Sequence, residues 1–164
     1  MIEIFDNVLN ETACQSLIDH FEECDVKIAR DMFDEVELPD CPAKDDLEYI
    51  LEDLAKDYWS RYDKHNLMPR KKYAIEGFRI KRYTPNVHEF PIHVDASQKD
   101  TATRFLAFLF YLNDNEAGTE FDEFVVPPKM GRVLVFPPYW MFPHRGIMPT
   151  ETTKYIMSSY LHFI

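Results

Sequence analysis

Cysteine is scarce in this chain. Cys14, Cys24 and Cys41 are the only three among 164 residues. An odd count without a Cys-x-x-Cys pair argues against a disulfide framework and against a structural zinc site, so buried or free thiols are expected. Positive charge is also short: 18 Lys and Arg stand against 29 Asp and Glu, a net charge of −11. Phosphate backbones and anionic membranes call for a basic surface, so nucleic acid and membrane are not the expected partners. The one dense basic cluster, "PRKKY" at residues 69–73, reads as a solvated loop. No apolar run reaches membrane-spanning length, and "MIEIFDNVLNETAC" lacks the basic and apolar regions of a secretory signal. A cytoplasmic protein is expected. Repeats, low-complexity tracts and interdomain linkers are absent as well.

What is present is globular: 46% hydrophobic and 15% aromatic residues, in a length that suits one domain with a sizeable core. "IEIFDNVL" reads as a strand and turn. "NETACQSLIDHFEEC" reads as a helix capped by Asn10, with Cys14, Leu17, Ile18 and Phe21 on one face. The acidic, proline-punctuated residues 30–44 read as a loop. "DDLEYILEDLAKDYWSRYDKHN" reads as a second helix with Leu47, Ile50, Leu51, Leu54, Tyr58 and Tyr62 on its apolar face. After residue 72 the chain breaks into short runs rich in β-branched and aromatic residues, divided mostly by Pro, Gly, Asn and Asp. Two helices followed by about seven strands predict a mainly β sandwich or barrel with the helices packed on one side. "FLAFLFYL" is apolar without alternation, as a strand buried on both faces should be.

Within the β region, "FPIHVDAS" places His93 and Asp95 two residues apart. On a strand they would project to one face. Alone the motif is weak, and the bland reading is a solvated or mutually bonded pair. His144 starts a short strand after a proline-rich corner, far enough along for two strands to be brought together. Two His and one carboxylate form a facial triad with three open positions, the arrangement of non-heme Fe(II) oxygenases; zinc hydrolases usually leave one. Lys154 lies among apolar strand residues in "TKYIMSSY", where an inward ammonium would need an anionic partner. Ser158 shares its strand face, and Tyr83 could add a phenolic donor. The bland reading of Lys154 is an outward, solvated lysine.

Taken together, these parts resemble the Fe(II)/2-oxoglutarate-dependent dioxygenases of the prolyl 4-hydroxylase type. Tyr83 stands ten residues before His93, then come His93-x-Asp95, "TRFLAFLFYLNDNEAGTEF", "PPKMGRVLVFP", His144, and Lys154 followed by Tyr155, in the family's order. The N-terminal strand and helix also look like the family's. The resemblance implies a double-stranded β-helix (a jelly roll, cupin-like) at residues 73–164, with residues 1–72 as helical support, in one catalytic domain. It implies iron ligation by His93, Asp95 and His144. It implies that Lys154 pairs with the far carboxylate of 2-oxoglutarate, that Tyr83 and Ser158 bond it, and that Tyr111 lines the same pocket. Arg104 matches an arginine that contacts substrate in some relatives. The implied cofactor is Fe(II), with 2-oxoglutarate and O2 as co-substrates and ascorbate as a candidate reductant. The implied reaction hydroxylates a prolyl residue of a peptide or protein and releases succinate and CO2.

The chain departs from the family pattern in places. The usual Gly-Gly turn is "AGTEF", with Gly118 alone, and the segment from Phe121 to Pro127 is short. "FPPYWMFPHRG" is aromatic in the manner of compact microbial or viral members. Trp140, Tyr139, Phe142 and Arg145 flank His144 and could line an entrance, and residues 30–44 and 84–90 are lid candidates. Three other readings compete: a dioxygenase acting on nucleic acid or a free small molecule, a non-catalytic jelly-roll binding module, and a cupin-type zinc hydrolase. The last has no use for Lys154.

Overall fold

The protein was described from a computed structural model, which covers residues 1–69 and 72–164. Arg70 and Lys71 of the basic cluster lie outside the described residues.

Two helices form where the apolar periodicity predicts them. Helix α1 (Glu11–Glu23) is capped by Asn10, whose side chain accepts the Ala13 N–H at 2.8 Å. It buries Cys14, Leu17 and Phe21. Helix α2 (Pro42–Tyr62) starts three residues before the predicted helix because Pro42 occupies its first turn, where a missing N–H costs nothing. It buries Leu47, Leu51, Leu54 and Tyr58 as predicted, and Ala55 and Trp59 as well.

Twelve strands are found among the described residues: β1 (Glu3–Phe5), β2 (Ile28–Ala29), β3 (Asp34–Glu37), β4 (Tyr73–Ile75), β5 (Arg79–Tyr83), β6 (Phe90–His93), β7 (Arg104–Tyr111), β8 (Thr119–Phe121), β9 (Val125–Val126), β10 (Val133–Phe136), β11 (His144–Gly146) and β12 (Lys154–Phe163). They form two antiparallel sheets. The larger runs β1-β10-β7-β12-β5-β3-β2, with β4 also on β12, and the smaller runs β6-β11-β8-β9. This is the expected mainly β, jelly-roll architecture with flanking helices. The expectation of a loop across residues 30–44 is corrected, since β3 extends the large sheet beside β5. Its sequence, Asp-Glu-Val-Glu, hides the strand signal because Glu35 is buried and ion-paired to Arg30.

The large sheet separates two cores, and side-chain alternation assigns each residue to one of them. Phe108 and Phe110 of β7, Val133 and Val135 of β10, and Met157 and Leu161 of β12 pack toward α1 and α2. Ala107 and Tyr111 of β7, Leu134 and Phe136 of β10, and Ile156 and Tyr160 of β12 face the small sheet, whose Phe121 and Val126 join them. Strand β7 is thus buried on both faces, which explains its unbroken apolar run. The functional face of β12 is Lys154, Ile156, Ser158 and Tyr160. No helix among the described residues is long and apolar enough to cross a membrane.

Candidate metal centre and co-substrate cavity

The small sheet closes the sequence gap between the two histidines. Strands β6 and β11 are antiparallel partners, and their register sets His144 directly opposite His93. The two rings lie 4.3 Å apart, centroid to centroid. Asp95 sits in a bend two residues past the end of β6 rather than on the strand, yet its carboxylate reaches both rings. Its oxygens lie 3.4 Å from His93 Nε2 and 3.5 Å from His144 Nε2. One ligand atom from each of the three residues lies within 4.8 Å of the others, so the set could hold a metal ion.

The surroundings orient these donors. His93 Nδ1 lies 2.8 Å from the Pro91 carbonyl, and His144 Nδ1 lies 3.1 Å from the Phe142 carbonyl. A carbonyl can only accept, so each Nδ1 carries the proton and each Nε2 presents a lone pair to the centre. His93 Nε2 is buried without a hydrogen-bond partner, an orphan that a metal would satisfy. Phe90 stacks on the His93 ring at 3.7 Å and fixes its plane. Asp95 Oδ1 accepts a hydrogen bond from Tyr160 at 3.0 Å. Burial alone would raise the Asp95 pKa, but the facing imidazoles, whenever protonated, and Lys81 hold it down at about 2, so the carboxylate is ionised. Burial lowers the pKa of His144, which favours its neutral, ligating form.

The triad opens into a narrow cavity between the sheets, lined by side chains of both. At one end stands Lys154, 2% exposed. Its ammonium donates to the carbonyls of Ala117 at 3.1 Å and Ile147 at 2.8 Å and lies 4.5 Å from the Tyr83 ring centroid. Burial pushes its pKa down to about 8. The expectation of an inward lysine is met, and no carboxylate ion-pairs with it among the described residues. Tyr83 pairs with Lys154 in the β5–β12 register and lines the same end. Ser158 Oγ, four residues farther along the same face of β12, is buried without a hydrogen-bond partner among the described residues.

Other residues singled out in the sequence lie elsewhere. Tyr111 does not line the cavity; its hydroxyl donates to Thr119 Oγ1 at 2.7 Å, and Thr119 forms the wall. Arg104 binds Glu76 through two nitrogens, at 2.7 and 2.6 Å, and donates to the Asp95 backbone carbonyl at 3.0 Å. Its guanidinium stacks 3.9 Å from the centroid of Tyr160. Arg104 therefore braces the metal end from behind. Trp140 is 79% exposed and does not line the cavity. Arg145 points away from the triad, as its neighbour position to His144 on β11 requires, and pairs with Glu120 and Glu89 over a separate surface groove. His88 accepts the Thr84 N–H within its own loop, and His65 is exposed.

The sequence reading missed Tyr160, Lys81 and Thr119. Tyr160 was within reach, because it is the next residue on the face already carrying Lys154 and Ser158. Lys81 gave little signal, because arginines at 79 and 82 make "RIKRY" look solvated.

The sequence signature described as the 2OG-Fe(II) oxygenase superfamily matches residues 78–162, which hold the triad, the cavity lysine and the strands between. The chain belongs to the 2OG-Fe(II) oxygenase superfamily. It is a 2-oxoglutarate-dependent dioxygenase that uses iron and O2. Solved structures of several oxygenases share its fold. A viral collagen prolyl hydroxylase from Paramecium Bursaria Chlorella virus-1, solved with 2OG, is 19% identical with a TM-score of 0.77, over 99% of this chain and 96% of that one. A Pseudomonas putida prolyl-4-hydroxylase is 15% identical with a TM-score of 0.74, over 99% and 92%. A Trichoplax adhaerens prolyl hydroxylase, solved with a hypoxia inducible factor peptide fragment, is 15% identical with a TM-score of 0.74, over 99% and 83%. No curated protein matches the chain in sequence.

Proposed function

We propose that this oxygenase hydroxylates a prolyl residue of a peptide or protein, releasing succinate and CO2, and that residues 1–164 act as one oxygenase domain. The observation that carries the co-substrate assignment is the cavity itself. It has three metal donors at one end and, at the other, a buried lysine without a carboxylate partner among the described residues, the polarity that a 2-oxo dicarboxylate would complete. Support for a prolyl substrate comes from the similar structures, which are named prolyl hydroxylases, one of them bound to a peptide.

In this reading His93, Asp95 and His144 hold Fe(II), which with 2-oxoglutarate and O2 supplies an oxidant for an unactivated C–H bond. Lys154 binds the far carboxylate by a charge-assisted hydrogen bond, strengthened by the poorly hydrated cavity. Tyr83 donates to the same end, whereas Ser158, four residues along β12 and beyond Lys81, offers its hydroxyl nearer the metal end. Tyr111 acts through Thr119, fixing the wall. Phe90 and Phe136 against the histidines exclude water, and Arg104 and Tyr160 keep Asp95 in place.

The test mixes metal-free protein anaerobically with Fe(II) and 2-oxoglutarate and records the visible charge-transfer band of a chelated 2-oxo acid. The band should vanish in His144→Ala and weaken in Lys154→Ala. Proline-containing peptides then follow, with mass spectrometry for the gain of one oxygen atom on proline. A folded, metal-loaded protein without the band would end the co-substrate assignment. Oxygen gained at another residue type would end the prolyl one.

A further inference from the structure

The cavity holds a second buried cation for which the proposed mechanism has no role. Lys81 lies on β5, two residues before Tyr83 and on the same face, and it lines the cavity. The residue is only 7% exposed. Among the described residues Lys81 makes no hydrogen bond or ion pair. Its ammonium instead faces the rings of Phe33 at 4.8 Å and Phe90 at 5.8 Å. Cation–π contacts of this kind recover only part of the hydration an ammonium loses on burial. A charge kept in such a place without a partner points to an anion that arrives later.

The position of Lys81 says which end of that anion it meets. Strand β12 pairs Lys154 with Tyr83 and Ile156 with Lys81, so the two lysines are offset by two residues along the sheet, about 6.5 Å. They also lie over different rings: Lys81 faces Phe90, which stacks on His93 at 3.7 Å, whereas Lys154 lies 4.5 Å from the Tyr83 ring centroid. Lys81 is thus the cation of the metal end and Lys154 that of the far end. Neighbouring Glu35, opposite Lys81 in the β3–β5 register, is already neutralised by Arg30.

We propose that Lys81 binds the metal-end carboxylate of the 2-oxo acid co-substrate, so that the cavity recognises a dicarboxylate with one lysine at each end. This rests on the co-substrate assignment proposed above. It makes Lys81 a binding residue for the carboxylate that is adjacent to the reacting carbonyl. Burial pushes its pKa down to about 8, so the ammonium is charged at neutral pH and the anion would favour that form further.

The test is an analogue comparison with anaerobic, Fe(II)-loaded protein, read as dissociation constants from the charge-transfer band. Two probes are used: 2-oxoglutarate, and 2-oxopentanoate, which has the same chain without the far carboxylate. Lys81→Met should weaken both about tenfold. Lys154→Met should weaken 2-oxoglutarate at least as much and leave 2-oxopentanoate within about twofold. Lys81→Gln repeats the first arm should Lys81→Met fold poorly. The melting temperature of ligand-free Lys81→Met should equal or exceed that of the wild type, whereas a merely structural lysine would lower it. Unchanged affinity for both probes overturns the proposal. So does weakening of 2-oxoglutarate alone, which would move Lys81 to the far end. Absence of the band in the wild type would instead overturn the co-substrate assignment on which it rests.

Discussion

Asp95 shows how much of the centre depends on residues that never touch the metal. Its carboxylate is aimed by the Tyr160 hydroxyl, and its backbone carbonyl is held by Arg104, which is itself pinned by Glu76. Partners of this kind usually contribute about 10- to 100-fold to metal affinity. Tyr160→Phe should therefore weaken Fe(II) or Mn(II) binding by about tenfold, measured by competition with a chromophoric chelator, with little loss of stability. Unchanged metal affinity would mean that the β6–β11 register alone sets the carboxylate. At this scale the sequence was legible where alternation along a strand applied. It put Lys154 and Ser158 on one face of β12, whereas the strand face it gave His93 and Asp95 is replaced by a bend beyond β6. It was not legible for Arg104, since charge and position do not reveal whether a guanidinium faces substrate or a buried glutamate.

At the level of elements, the N-terminal segment and the large sheet hold one another. Strand β1 pairs with β10, and the turn before β10 is clamped onto the residues leading into α1: the N–H groups of Val8 and Leu9 donate to the Gly131 carbonyl at 2.9 and 3.3 Å. Gly131 has φ +75°, and a Cβ there would come within 2.1 Å of the Leu9 carbonyl oxygen. Gly131→Ala should cost roughly 1–3 kcal/mol or more, because it adds backbone strain to a steric clash with main chain. Chemical denaturation should show a lower midpoint with an unchanged slope. An effect below a few tenths of a kcal/mol would mean that the clamp yields freely. Helices and most strands were readable from periodicity. Strand β3 was not, because its inward Glu35 depends on Arg30, a pairing that sequence pattern does not announce.

For the molecule as a whole, two buried lysines without a carboxylate partner among the described residues make stability depend on pH in an unusual direction. Lys81 and Lys154 are each pushed down to about 8 by burial, while a lysine in the unfolded chain holds its proton to about 10.4. Between about pH 8 and pH 10 the unfolded state therefore binds more protons than the folded one, so these two groups make stability rise with pH. Below about pH 8 both states are protonated and the full destabilisation is present. Above about pH 10 the tyrosines reverse the trend, because burial raises the pKa values of Tyr83, Tyr111 and Tyr160, and the unfolded chain ionises first. The ligand-free wild type should gain melting temperature from about pH 8 to pH 9.5 relative to the Lys81→Met/Lys154→Met double variant. A constant gap across that range would show that both lysines reach solvent. Added 2-oxoglutarate with Mn(II) should flatten the same profile, since bound carboxylates would keep both ammonium groups charged.

The sequence alone determined both helices, the two-sided burial of β7, and the shared face of Lys154 and Ser158. Those follow from short-range rules: a strand turns alternate side chains to one face, and a helix repeats its apolar face every three to four residues. Only the tertiary structure decided which polar residues face the cavity and which serve as braces. It set Arg104 behind Asp95, turned Arg145 away from the triad, left Trp140 outside the cavity, and brought Lys81 to the metal end. The physical reason is that a charged side chain takes its role from partners far along the chain, and strand pairing chooses those partners.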